Sequence, residues 1–329
     1  MEPFTIDNTR YERTPQRRCG SFGLKLPAIS LGAWETFGGY RGPEIAKECI
    51  HAAFDLGIFH FDLANNYGRP PGQAETVVGP ILRQLPREEV IVSTKAGFLM
   101  WPGPFGQGCS RKSLLSSIDQ SLQRLGLDYV DIFYAHRFDA ETPLEETLGA
   151  LNDIVRRGKA VYAGLSNYSG AQFTEAIELA RQRNYGPIVV EQSSYNILNR
   201  QIEGELLPAV SRAGLGLIAF SPLAQGLLSE KYLGGIPEDS RVGQMWTGEQ
   251  RNSIGEDTRR KIARLNELAK SRGQTLPQMA IAWILRRPEI TSALIGASSP
   301  AQIRENVGSL GNLGFSESEL TQIDQISTK

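Results

Sequence analysis

Eight short runs rich in β-branched and aromatic residues restrict the fold of this chain more than any other feature: AISLG (28–32), GIFHFD (57–62), VIVSTK (90–95), YVDIFY (129–134), AVYAGLS (160–166), PIVVEQ (187–192), LGLIAF (215–220) and SALIG (292–296). Each is apolar almost throughout, as strands are when their sheet is covered. Between them lie stretches with helical period, among them PEIAKECIHAAFDLG, SRKSLLSSIDQSLQRLG, TPLEETLGALNDIVRRG and SGAQFTEAIELARQR. Several open on Ser, Thr or Pro and close at Gly, where caps belong. Strands alternating with helices make a parallel α/β sheet, and eight such units close into a (β/α)8 TIM barrel.

A length of 329 residues suits one such barrel with insertions. Residues 1–17, MEPFTIDNTRYERTPQR, mix acids, bases and prolines and are expected to form a flexible tail, leaving 18–329 as the barrel domain. An open doubly wound sheet would carry a GxGxxG turn after its first strand, but AWETFGGYRG stands there. The one near match, GLGLIA (Gly214, Gly216, Ala219), lies before and inside a strand, where its amides cannot face a pyrophosphate.

With 35 Lys and Arg against 36 Asp and Glu, the net charge of −1 provides no field to hold nucleic acid or an anionic membrane, so a small-molecule partner is expected. Cys19, Cys49 and Cys109 form no CxxC pair, which fits a reducing compartment. The N-terminus lacks an apolar h-region, and no stretch reaches the roughly 18 apolar residues of a membrane span. A cytoplasmic protein without membrane insertion is expected. The three histidines have neither HExxH spacing nor cysteine partners, so no metal site is expected.

Barrel enzymes gather their chemistry at the C-terminal ends of the strands. There the second run ends in Asp62, the third in Lys95, the fourth leads into His136, and Tyr67 follows Asp62 by five positions. An isolated phenol, with a pKa near 10, is a poor proton donor at neutral pH, and a neighbouring ammonium favours its phenolate. Lys95 is therefore expected to lower the pKa of Tyr67, while Asp62 keeps Lys95 charged. His136 would orient a carbonyl oxygen that Tyr67 protonates. His60 shares strand parity with Asp62 and reads as a hydrogen-bonded core residue; His51 reads as structural.

No side chain delivers hydride, so carbonyl reduction implies a nicotinamide cofactor. Ser166, Asn167, Gln192, Phe220 and Ser221 stand at later strand ends, with groups suited to a carboxamide and an aromatic face suited to stacking. IGASSPAQIRENV runs from Gly296 into a helix whose N-terminus would favour a phosphate.

FDLANNYG, STK, YAHR, GLSNY, EQSSYN, FSPLAQGLL and IGAS together resemble the aldo-keto reductase superfamily from about residue 17 to 328. The resemblance implies a barrel with a short N-terminal β-hairpin and extra helices and loops after strands 7 and 8. It further implies NADPH as cofactor, Tyr67 as general acid with Asp62, Lys95 and His136 as its partners, and a homo-oligomer. By motif match the nucleotide would be held by Trp34, Asp62, Ser166, Asn167, Gln192, Phe220, Ser221, Leu223, Gln225, Gly226, Lys231, Arg241, Gly296, Ser298, Gln302, Glu305 and Asn306. Lys231 and Arg241 would pair with the 2′-phosphate and favour NADP over NAD. The glycines Gly234, Gly235, Gly243 and Gly248 around them mark a mobile cover.

On the substrate side, Trp34, Tyr67, Trp101, Phe105 and Phe138 are expected to wall an aromatic cleft for small oxo compounds such as glyceraldehyde 3-phosphate or methylglyoxal. Arg137 and Arg69 are candidates for a substrate phosphate or carboxylate. Two other readings compete. One is a cofactor-binding regulatory β-subunit of a membrane channel, disfavoured because only about seventeen residues precede the barrel. The other is an aldolase with Lys95 as Schiff base, which Asp62 disfavours by keeping that amine charged.

Overall fold

The computed structural model describes residues 6–34, 36–39, 41–232 and 255–328. A hairpin of β1 (Gln16–Arg18) and β2 (Lys25–Pro27) precedes β3 (Ile29–Gly32), β4 (His60–Asp62), β5 (Ile91–Ala96), β6 (Val130–Ala135), β7 (Ala160–Ser166), β8 (Ile188–Ser194), β9 (Gly216–Phe220) and β10 (Ile290–Ile295). Strands β3 to β10 pair with their sequence neighbours, β10 returns to β3, and the sheet closes as a barrel. All of its pairings are parallel. Every apolar run picked out from the sequence thus supplies one barrel strand. The second is shortened to three residues, because GIFHFD opens in a turn: Gly57 has φ +78. A Cβ on Gly57 would sit 2.4 Å from the Arg10 carbonyl oxygen.

Helices α1 (Pro43–Asp55), α2 (Gln73–Leu82), α3 (Arg111–Leu125), α4 (Leu144–Arg156), α5 (Gly170–Gln182) and α6 (Leu206–Ala213) are the crossovers between consecutive strands. Their ends follow capping chemistry: Ser110 caps α3, and Ser169 with Gln172 forms a reciprocal box on α5. The expected additions are present. Short 3-10 turns, α7 (Glu256–Ser271) and α8 (Leu276–Leu285) follow β9, and α9 (Pro300–Val307) with α10 (Glu317–Thr328) follows β10.

The hairpin closes the N-terminal end of the barrel. Cys19, Leu24 and Leu26 pack with Ile132, Tyr134, Val190, Ile218 and Leu294 in one buried cluster. The Ser21 amide donates to the carbonyl of Gly214, just ahead of β9. The boundary drawn at residue 18 falls inside β1, and the preceding segment is in contact with the barrel. Arg10 is buried and paired with Glu89, and Thr14 Oγ1 donates to the Leu56 carbonyl at 2.7 Å.

One glycine is set by close approach. Tyr134 lies across Gly164 on the neighbouring strand, where a Cβ would stand 2.5 Å from the ring. Gly164→Ala should therefore displace a fully buried aromatic and cost about 1–3 kcal/mol. A urea denaturation midpoint equal to that of the parent would contradict this packing.

Candidate active site

Strand parity places Asp62 at the end of β4 and Lys95 near the end of β5, both pointing into the barrel. Asp62 is 1 % exposed and Lys95 fully buried. They form an ion pair, Lys95 Nζ to Asp62 Oδ2, at 2.5 Å. Lys95 also donates to the Leu63 carbonyl at 2.7 Å, and Asp62 Oδ1 accepts from Ser93 Oγ at 2.6 Å and Gln192 Nε2 at 3.0 Å. A charge pair without water needs such additional hydrogen bonds to offset desolvation. Burial pulls the Lys95 ammonium below the ordinary lysine range, while Asp62 and then Glu75 oppose the shift. Glu75 is itself buried, held by Thr94 Oγ1 and Arg124 Nε at 2.5 and 2.7 Å, which ties α2 and α3 to the back of β5.

Tyr67 and His136 meet above this pair. Their rings lie 5.8 Å apart edge to face, and Lys95 Nζ stands 5.1 Å from the centre of the Tyr67 ring. Phe98 packs edge-on against His136 at 4.6 Å. Burial pushes His136 well below the usual histidine value, helped by the charges of Lys95 and Arg137, so the imidazole is neutral. Its Nδ1 is buried with no partner among the described residues.

The expected acidification of Tyr67 is not found. Burial, and secondarily the charge of Asp62, push its phenol well above the ordinary tyrosine value. Lys95 directs its hydrogen bonds at Asp62 and Leu63. Tyr67 therefore holds its proton more firmly than a free tyrosine does.

These side chains open into a cavity of about 540 Å³, within the span usual for small-molecule sites. Asp62, Tyr67 and His136 line it, with Lys95 buried beneath. Of the residues matched to a nucleotide, Trp34, Asp62, Ser166, Asn167, Gln192, Phe220, Ser221, Leu223, Gln225, Gly226, Lys231, Gly296, Ser298, Gln302, Glu305 and Asn306 all line the same cavity. Arg241, Gly234, Gly235, Gly243 and Gly248 lie outside the described residues. Part of this wall is strained. Ser221, Ala224 and Gln225 hold φ of 53, 47 and 58, and Asn167 holds 61, conformations that cost on the order of 1–3 kcal/mol each. Side-chain hydrogen bonds hold two of them, Ser221 and Asn167: Asn196 Nδ2 donates to the Ser221 carbonyl, and Asn167 Nδ2 to the His136 carbonyl, both at 2.9 Å.

Among the residues expected on the substrate side, Trp34 and Tyr67 line the cavity; Trp101, Phe105, Phe138 and Arg137 do not. Trp101 and Phe105 are 39 % and 51 % exposed. Arg137 turns away, donating from Nε to the Gly97 carbonyl at 3.1 Å with its guanidinium 5.4 Å from the Phe98 ring centre. Arg69 is exposed. Among the walls that sequence reasoning missed are Thr36, Asn66 and Phe98. Phe98, three residues beyond Lys95, was legible by the same strand-end rule that located the lysine.

Residues 28–328 match the family model for the aldo/keto reductase family. The chain belongs to the aldo/keto reductase family. This aldo/keto reductase is 51 % identical over 323 residues to the L-glyceraldehyde 3-phosphate reductase of Escherichia coli (strain K12), covering 96 % of this chain and 93 % of that protein. It is 40 % identical over 301 residues to a probable voltage-gated potassium channel subunit beta of Oryza sativa subsp. japonica, covering 89 % and 90 % of the two chains. A protein of the same description from Arabidopsis thaliana is 39 % identical over 298 residues, covering 88 % and 89 %. Among the described residues, the reductase has no helix long and apolar enough to cross a membrane.

Proposed function

We propose that the protein reduces small aldehydes and ketones, of the size of glyceraldehyde 3-phosphate or methylglyoxal, to alcohols with NADPH, and that Tyr67 is the general acid. The carrying observation is that Tyr67 and His136, seated over the Asp62–Lys95 pair, open into the cavity whose wall holds Phe220 and the amide and hydroxyl groups of Ser166, Asn167 and Gln192. That wall fits a nicotinamide nucleotide, with carboxamide partners, an aromatic face and the Lys231 ammonium for a phosphate. When bound, NADPH supplies the hydride.

The remaining chemistry belongs to the chain. Neutral His136 and Tyr67 both direct N–H and O–H donors at the carbonyl oxygen and orient it. As negative charge builds on that oxygen, the Tyr67 proton moves to it, and the phenolate left behind is stabilised by the Lys95 ammonium until water reprotonates it. A high phenol pKa suits this order, because the proton leaves only when an alkoxide is forming. All three cysteines are buried and unpaired, which supports a reducing, cytoplasmic setting.

The likeness to channel subunits supports a second reading, a cofactor-binding regulatory subunit with weak reductase activity. A panel of aldehydes and ketones, followed by loss of NADPH absorbance beside NADH, separates the two. Turnover with short aldehydes and a preference for NADPH of about tenfold or more is expected, the worth of a charge-assisted phosphate contact. Tight NADPH binding without consumption of any carbonyl would leave the regulatory reading in its place.

A further inference from the structure

The period of two that turns Asp62 and Lys95 inward also turns His60 and Ser93 inward, one layer deeper. Ser292 on β10, Ser30 on β3, His60 on β4 and Ser93 on β5 are all completely buried. They form a continuous chain. Ser292 Oγ lies 2.6 Å from Ser30 Oγ, Ser30 Oγ 2.8 Å from His60 Nδ1, His60 Nε2 2.9 Å from Ser93 Oγ, and Ser93 Oγ 2.6 Å from Asp62 Oδ1.

Proton counting gives this chain one direction. A carboxylate paired with an ammonium only accepts hydrogen bonds, so the single Ser93 proton is committed to Asp62. The contact between Ser93 and His60 then needs a donor on the ring, which puts the imidazole proton on Nε2. Bare Nδ1 must accept from Ser30, whose own proton is thereby used, and Ser292 must donate to Ser30. Burial supports the neutral ring this requires, pushing His60 down to about 4, with Lys95 lowering and Asp62 raising it.

We propose that His60 is a positioning residue for the reductase chemistry, acting through Ser93 to hold Asp62 Oδ1 so that Oδ2 stays on Lys95. This rests on the reductase reading for its kinetic consequence, but not for the tautomer. Asp62 Oδ1 is where two donors converge, Ser93 from the barrel interior and Gln192 from the cavity wall. With the first removed, the carboxylate is free to rotate off the ammonium, and the Lys95 charge under Tyr67 is less well placed.

Two measurements on the full-length protein test this. Nitrogen-15 NMR of histidine-labelled protein reads the three imidazoles directly, and His60→Gln identifies the relevant one. An Nε2–H tautomer with bare Nδ1 through the neutral range is expected; an Nδ1–H tautomer or a cation overturns the chain. The kinetic arm compares Ser93→Ala, His60→Leu, His60→Gln and the Ser93→Ala, His60→Leu double variant. Each of the first two should lower kcat by about tenfold to a hundredfold, the worth of a hydrogen bond to a charged group, with NADPH affinity within about threefold. His60→Gln should recover most of the loss, because its amide keeps an N–H in place of Nε2. The double variant should be no worse than the poorer single one, since both cut one chain. Additive losses, or a His60→Gln enzyme as slow as His60→Leu, overturn the positioning role. Should His60→Leu fail to fold, His60→Ala, which leaves no polar group to reach Ser93, takes its place in the cycle. A parent protein that consumes no carbonyl sinks the proposed function instead, with the tautomer still read from the spectrum.

Discussion

Replacing Tyr67 with phenylalanine is expected to lower kcat for every carbonyl the protein reduces by about 10²- to 10⁴-fold, the range of a general acid's contribution, with NADPH affinity nearly unchanged. The ring remains, so the packing against His136 and over Lys95 survives. Only the hydroxyl is lost, and its proton matters in the transition state rather than in ground-state binding. Single-turnover measurements with a short aldehyde beside a fluorescence titration of NADPH check both halves. A loss below tenfold would remove Tyr67 from its role. A comparable fall in cofactor affinity would recast it as a binding residue.

The second large effect concerns stability. Lys95→Met leaves the Asp62 carboxylate buried without its ammonium, and also strips the Leu63 carbonyl of its donor. Breaking a buried pair from one side costs about 3–5 kcal/mol, much of it the desolvation of the charge left behind. Adding Asp62→Asn removes that stranded charge while preserving an acceptor for Ser93. The double variant should regain most of the denaturation midpoint and none of the turnover. If Lys95→Met alone is as stable as the parent, the ion pair is not the dry contact described above. If the double variant recovers turnover, the ammonium has no part in the chemistry.

The barrel was legible in the sequence because strands covered on both sides read as continuous apolar runs, and each of the eight expected runs holds one strand of the closed sheet. Asp62, Tyr67, Lys95 and His136 were legible because ionisable groups are rare at strand ends without a reason. Three things were not. Serines in a strand carry no signal of their own, so nothing in the sequence marks Ser30, Ser93 and Ser292, although period two places Ser93 on the face of Lys95 and His60 on that of Asp62. Loops have no period to tell which side chain turns inward, so Trp101 and Phe105 are expected at the cleft, whereas Phe98 is the one of the three that reaches His136. The sign of the Tyr67 shift is not legible because a sequence displays charges but not dehydration, and here burial and then the charge of Asp62 push the phenol up.

The hairpin gives the molecule a floor made from its own early residues. The match to the family model starts at residue 28, yet Cys19, Leu24 and Leu26 are packed beneath Ile132, Tyr134 and Ile218. A fragment trimmed to residue 28 would leave the bottom of the barrel wet. The matched span is therefore shorter than the span that must fold, and a truncated protein should keep the hairpin.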